Sequence, residues 1–382
     1  MRLKPFKHSV VTARSMPFWC VANPIGDPFG GAVLPRISPV ETAKLLAWAA
    51  KEGLIEATSF HDDDLVPFDP KHPNDDLDPK SETSKTLAEI KGILDDAGLM
   101  VNTATCALHI MPIFRAGGLA NPDPKIRALA KIKVERTLRI GAKLGASWYT
   151  YWVARDGFEV PPAVDWKNTY KWIAQGLDNV YTYVKAQKLT NYIGATIEPK
   201  PNEPRGQMFL PTSGHATGFI LGMLKKPDFY KVNPELLQHE SMALMNSVMT
   251  LSYLCSMDKL AFLHFGSQIK AQFDNDFPPL VGPEGLKETA QMFWALKQVG
   301  WKGLVEYDCH MLRTEADPEF AELRRKQFMR SCTDGLSISL ELAERLDGLK
   351  TAGLTHTQID LAATMQMCKV DAKKIATVTL KK

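Results

Sequence analysis

The feature that most constrains this chain is an alternation. Short apolar runs, rich in β-branched and aromatic residues, are separated by longer amphipathic stretches. The runs fall at 16–22 (MPFWCVA), 54–61 (LIEATSFH), 100–108 (MVNTATCAL), 147–154 (SWYTYWVA) and 192–200 (YIGATIEPK). Further runs lie at 260–266 (LAFLHFG) and 303–310 (GLVEYDCH), with a shorter one at 230–235 (YKVNPE). Each has the length and residue types of a strand. Between them lie helix patterns. Segment 38–53 opens with Ser38 as N-cap, Pro39 in the first turn and Glu41 three residues after the cap, and stops at Gly53. Segment 123–145 places Ile126, Leu129, Ala130, Val134 and Leu138 on one face, and its many Lys and Arg residues are expected on a solvated opposite face.

Strand followed by helix, repeated eight times over residues 1–345, predicts an α/β chain folded as a (β/α)8 TIM barrel. Residues 346–382 are too few for a domain and are expected to form a C-terminal helical arm that packs on a neighbouring subunit. A formal net charge of +3 over 382 residues gives no reason to expect nucleic acid or a membrane as partner. No apolar run approaches the ~18 residues of a membrane span, and the basic N-terminus lacks the apolar core of a signal peptide. The six cysteines are scattered, none in CxxC spacing, which fits reduced thiols and a cytoplasmic location.

Chemistry in such a barrel sits at the C-terminal ends of the strands. There the sequence gathers polar residues: His61, Asp62, Asp63 and Asp64 after the second run; Glu198, Lys200, Glu203 and Arg205 after the fifth; Glu235, His239 and Glu240 after the sixth. His264 lies in the seventh and is followed by Asp274 and Asp276; Glu306, Asp308 and His310 belong to the eighth. Alternate residues of a strand share a face, so Glu198 with Lys200, and Glu306 with Asp308 and His310, can point together into the barrel mouth. Carboxylates gathered this densely need cations. Oxygen ligands with an occasional imidazole suit Mg²⁺, Mn²⁺ or Co²⁺. Trp19 and Trp152, also at run ends, offer faces for the C–H surface of a sugar.

These segments resemble the xylose isomerases, in their shorter actinobacterial form. SFHDDDLVPF (59–68) is similar to that family's second-strand motif, and IEPKPNEPRG (197–206) matches its fifth-strand motif essentially letter for letter. NPE…HE, QFDND and YD…RTE follow in the family's order. The resemblance implies aldose–ketose isomerisation by a homo-oligomer, dimer or tetramer, with one or two divalent cations per chain. On it, His61 with Asp64 would open the sugar ring and Lys200 would hold the carbonyl oxygen. Glu198 and Asp308 would ligate the structural metal, Asp274 and Asp276 the second, catalytic one, and Glu235 and His239 stand at the family's sixth-strand ligand positions. Trp19 and Trp152 would wall the sugar, and Phe29 would reach into a neighbouring subunit's site.

The chain departs from the family at the site. His264 stands where the family has a metal-binding aspartate, His109 where it has a phenylalanine facing the sugar, and His310 where it has a lysine. WVARDG (152–157) replaces a Trp-Gly-Gly segment. Glu235 and His239 are four residues apart instead of three. In an extended segment that extra residue reverses parity, so only one of the two is expected to keep its role. An imidazole among the ligands moves the preference away from Mg²⁺ towards Mn²⁺, Co²⁺ or Zn²⁺. The set Glu198, Glu235, His264 and Asp308 (or Glu306) also resembles single-metal relatives, the ketose 3-epimerases and 3-oxo-glycoside lyases. A non-catalytic sugar-binding relative is the remaining alternative.

Overall fold

The computed structural model describes residues 6–22, 31–282 and 285–369. Eight parallel strands form its main sheet: β1 Val11–Ser15, β2 Ala57–His61, β3 Met100–Thr105, β4 Trp148–Trp152, β5 Gly194–Glu198, β6 Tyr230–Val232, β7 Leu263–Phe265 and β8 Gly303–Tyr307. β1 pairs with both β2 and β8, and the order runs from there to β6 on one side and β7 on the other. The two outer strands meet through parallel bridges Val232–Leu260 and Glu235–His264, which close the barrel.

Among the described residues, nine helices of ten residues or more surround it. They are α1 Pro39–Lys51, α2 Glu82–Ala97, α3 Pro124–Leu144, α4 Thr169–Ala186, α5 Ser213–Met223, α6 Ser247–Ser256, α7 Leu286–Gln298, α8 Ala321–Glu344 and α9 His356–Met367. At the start of α1 the capping box forms as the sequence signals. The Ser38 side chain accepts from the Glu41 N–H, and the Glu41 carboxylate accepts from the Ser38 N–H.

Seven of the eight strands fall within the expected segments. The first does not. Residues 16–22 hold a helical turn, Phe18–Ala22, and the strand lies just before it at Val11–Ser15. The sequence misleads here because this strand carries Arg14. The guanidinium is nevertheless buried, satisfied by Glu56 Oε1 at 2.6 Å and the Gly53 carbonyl at 2.7 Å, so charge and burial coexist.

The basic face of α3 is also not wholly solvated. Lys133 and Arg136 are fully buried. The Lys133 ammonium bonds Asp62 and lies 3.1 Å from Asp63, and Arg136 Nε donates to Asp75 at 2.8 Å. Burial works against the charge of Lys133, but Asp62 beside it holds its pKa above the usual lysine range. Helix α3 thus pins the β2 end from beneath, because Asp62 also accepts the Ala107 N–H at 2.8 Å and Asp63 the Phe68 N–H at 2.9 Å.

In the C-terminal segment, Ala363 and Met367 of α9 pack on Ala290, Leu342 and Leu346 of the same chain.

Candidate metal and sugar site

Strand register sets the floor of the site. Ser15 pairs with Glu306, Glu306 with His264, and His264 bridges to Glu235, so four neighbouring strand segments bring these residues to one level. His264 Nδ1 lies 2.9 Å from Asp308 Oδ2, 3.2 Å from Glu235 Oε1 and 3.6 Å from Glu198 Oε2. One ligand atom from each of Glu198, Glu235, His264 and Asp308 lies within 4.8 Å of all the others, and Glu235, His239 and Asp274 make a second such group. Glu235 belongs to both. Its Oε1 faces His264, while its Oε2 is 3.0 Å from His239 Nε2.

This convergence of Glu235 and His239 differs from the parity expected of an extended segment. The segment is not extended. After the bridge at Glu235 the chain turns, with the Gln238 and Glu240 N–H groups both donating to the Glu235 carbonyl, and a short helix, His239–Met242, begins. Residues four apart on a helical turn lie on one face, so the extra residue restores convergence. His239 Nδ1 lies 3.1 Å from the Pro199 carbonyl, which orients Nε2 toward Glu235 and toward Asp274 at 3.2 Å.

The donor atoms suit divalent cations. Asp274 Oδ1 is buried and forms no hydrogen bond, and Glu235 Oε2 has only the His239 Nε2 contact at 3.0 Å. A buried carboxylate oxygen short of partners is costly, and a cation at these donors would satisfy it. The strained electrostatics agree. Burial, with Asp308 close by, pushes Glu235 well above the usual carboxylate range, and burial also raises Glu198. Burial opposes ionisation of Asp274 too, but Lys200 and His239 hold it well below its ordinary value. Burial would depress His264, yet Glu198 and Asp308 raise it well above a free imidazole.

The donors open into a cavity of about 250 Å³ whose lining includes Trp19, His61, His109, Trp152, Lys200 and Asp276. Asp276 lies outside both donor groups; its carboxylate accepts from Gln238 Nε2 at 3.1 Å, and burial beside Asp274 raises it well above its ordinary value. His61 Nδ1 is 3.2 Å from Asp64 Oδ2. Burial lowers the affinity of His61 for a proton, but the Asp64 bond together with the charges of Asp64, Glu198 and Asp308 more than offsets it, so the net shift is upward.

Trp19 donates its indole N–H to Asp308 at 2.7 Å and sits 4.5 Å from the His61 ring centre. Trp152 meets His109 edge-on at 4.7 Å. Burial, reinforced by the charge of His61, drives His109 well below its usual pKa, so it is a neutral imidazole. The Lys200 ammonium reaches Asp274 at 2.5 Å. His310 also lines the cavity. Phe29 lies outside the described residues.

The sequence reading did not assign Asn233, Gln238, Ser15, Ser59 or Asn102. Asn233 donates to Glu198 at 3.3 Å, and Gln238 to the Asp308 carbonyl at 2.6 Å. Ser15, Ser59 and Asn102 all donate to Glu306. The available signal was a polar residue inside otherwise apolar strands, as in ATSFH and MVNTAT.

No family model matches the chain. Xylose isomerase from Thermus thermophilus is 34% identical over 297 residues, 78% of this chain and 72% of that protein. This chain belongs to the xylose isomerase family. The enzyme of the same name from Thermus caldophilus matches equally, at 34% over the same length. The fold is shared more widely. A putative xylose isomerase from Rhodospirillum rubrum superposes with a TM-score of 0.61 at 14% identity, covering 84% of this chain and 98% of that one. An L-ribulose 3-epimerase gives 0.60 at 14% identity, with 90% and 99% covered. The curated relatives thus place the chain among sugar isomerases, and the solved structures show that the barrel itself is shared.

Proposed function

We propose that this family member interconverts an aldose and its ketose, of the D-xylose/D-xylulose type, using two divalent cations per chain. The observation that carries the reading is Glu235, shared between two donor groups by its two oxygens. Glu198, Glu235, His264 and Asp308 would hold one cation; Glu235, His239 and Asp274, with Asp276 nearby, would hold the other. Bound there, Mn²⁺, Mg²⁺, Co²⁺ or Zn²⁺ would polarise the C1 and C2 oxygens of an open-chain sugar.

The chain's own groups do the rest. His61, fixed through Nδ1 by Asp64, takes the anomeric hydroxyl proton and returns it to the ring oxygen, which opens the ring. Lys200 donates to the carbonyl oxygen. Trp19 and Trp152 cover the sugar's apolar face and exclude water. The hydrogen on C2 then passes to C1 as hydride, the C2 hydroxyl proton moves to the C1 oxygen, and the aldose becomes a ketose. His109 sets the pocket apart from an apolar-walled xylose site and favours a modified or oxidised sugar; His109→Phe is expected to move preference toward D-xylose. The working form is a homodimer or homotetramer in the cytoplasm, and the arm 346–382 supplies contacts to a neighbouring subunit. Light scattering reads that state directly. Among the described residues no helix is long and apolar enough to cross a membrane.

His264 favours a second reading, in which one cation supports a ketose 3-epimerase or a 3-oxo-glycoside lyase or isomerase. There a proton leaves carbon to a base and returns from solvent. The deciding measurement is NMR of product formed in deuterated water from pentoses, hexoses and 3-oxo-glucosides. Unlabelled ketose from an aldose supports the first reading. Deuterium at the reacting carbon, with one metal per chain, supports the second. A Glu198→Gln variant that keeps both metal and activity would sink the two together.

A further inference from the structure

The eighth strand offers two carboxylates beside His264, and only one belongs to a donor group. Asp308 lies among the donors, whereas Glu306 sits behind the imidazole, fully buried inside the barrel. Its Oε2 accepts from Ser15 Oγ at 2.6 Å, from Asn102 Nδ2 at 3.1 Å and from the Ser59 hydroxyl. Those donors come from β1, β2 and β3. Its Oε1 faces His264 Nε2 at 3.1 Å. Three donors from three strands fix the carboxylate in place and saturate one oxygen. The other oxygen can only accept, and His264 Nε2 is the group it meets.

We infer that Glu306 is a positioning residue: when a cation occupies the first donor group, Glu306 accepts from His264 Nε2–H and so holds the imidazole in the tautomer whose Nδ1 lone pair faces Glu198, Glu235 and Asp308. An imidazole has two nitrogens of nearly equal basicity, and the hydrogen bond made by one decides what the other offers. Here the far nitrogen has a fixed carboxylate acceptor, so the near one presents a lone pair at the point where three carboxylates converge. The same bond raises the donor strength of Nδ1. It follows that Glu306 governs which cation the first donor group prefers. A nitrogen donor held this way favours Mn²⁺ or Zn²⁺ over Mg²⁺, and the preference weakens when Glu306 is neutralised. The inference rests on the two-group reading of the site and concerns a residue that reading leaves without a role.

The test is calorimetric titration of metal-stripped protein with Mn²⁺, Zn²⁺ and Mg²⁺, in wild type, Glu306→Gln, His264→Asp and the double variant. Glu306→Gln is expected to weaken Mn²⁺ and Zn²⁺ about ten- to hundred-fold and Mg²⁺ much less. In the His264→Asp background Glu306→Gln should cost no affinity. It should instead restore stability, because Glu306 then faces a carboxylate and has lost its donor. Thermal denaturation of the metal-free proteins gives that second readout without any need for activity.

Equal weakening of all three cations would make Glu306 a ligand and overturn the inference. So would an unchanged Mn²⁺/Mg²⁺ ratio, or the same loss in both backgrounds. Wild-type protein that binds no divalent cation would instead remove the reading of the site on which the inference rests.

Discussion

Two regions of this barrel collect acidic side chains, and they resolve the charge in opposite ways. Beneath the β2 end, Asp62 and Asp63 close on Lys133, whose ammonium is as buried as they are. At the mouth, the five carboxylates of Glu198, Glu235, Asp274, Asp276 and Asp308 share one ammonium, Lys200, and the imidazoles of His239, His264 and His310. The first cluster carries its counter-ion covalently on α3. The second is short of positive charge and aimed into a cavity. A dense group of carboxylates is therefore not itself a sign of a metal site; an excess of carboxylates over fixed cations, with donor atoms converging on one point, is.

The largest effect should come from removing the internal counter-ion. Lys133→Met strands two buried carboxylates and is expected to cost about 3–5 kcal/mol of stability, a loss that added Mn²⁺ should not repair. Recovery on adding metal would erase the distinction between the clusters.

Acid should act oppositely on this region from the usual carboxylate. Burial, with Asp62 alongside, raises Asp63 to about 6 from 3.8. The folded state therefore binds its proton more tightly than the unfolded chain. Between those two values the native form carries more protons, so this contribution to stability is full at low pH and is lost as pH rises through about 6. The loss is at most ~3 kcal/mol, at 1.36 kcal/mol per unit. Asp63→Asn should flatten denaturant-derived stability across that window, and an unaltered slope would assign it to other groups.

At the mouth, Mn²⁺ at a hundred times its dissociation constant should stabilise the wild type by about 2.7 kcal/mol, reversed by EDTA. Glu235→Gln should abolish that gain while leaving the metal-free protein as stable as wild type or more so, since burial already opposes ionisation of that carboxyl. Scanning calorimetry with and without metal separates the two. A smaller effect is expected from Ser59→Ala, which takes one of three donors from Glu306. A loss of about 1–2 kcal/mol, with metal preference shifted in the direction expected for Glu306→Gln, would tie the floor of the site to its mouth.

Much of this was legible beforehand for reasons that can be named. Strand–helix alternation is local, and the capping box at Ser38 and Glu41 is written within four residues. IEPKPNEPRG carries enough specific residues to announce the family without a structure. What failed to show were the cases where burial depends on a distant partner. Arg14 made a true strand look unfit, and Lys133 and Arg136 looked like a solvated face, because the carboxylates that bury them lie on other elements. His239 looked out of register because parity assumes an extended chain, whereas the turn after Glu235 gives the segment a helical period.

The sequence by itself determined the barrel, the family, and the set of strand ends from which the donors come, since periodicity and short motifs are properties of neighbouring residues. Only the tertiary structure decided how those donors divide. It made Glu235 common to two donor groups, put Asp308 in the first of them, and set Glu306 behind His264. The reason is register around a closed sheet. Ser15 and Glu306 are 291 residues apart in the chain yet directly paired across β1 and β8, and no local pattern encodes which of two alternating carboxylates such a pairing will place in front of an imidazole and which behind it.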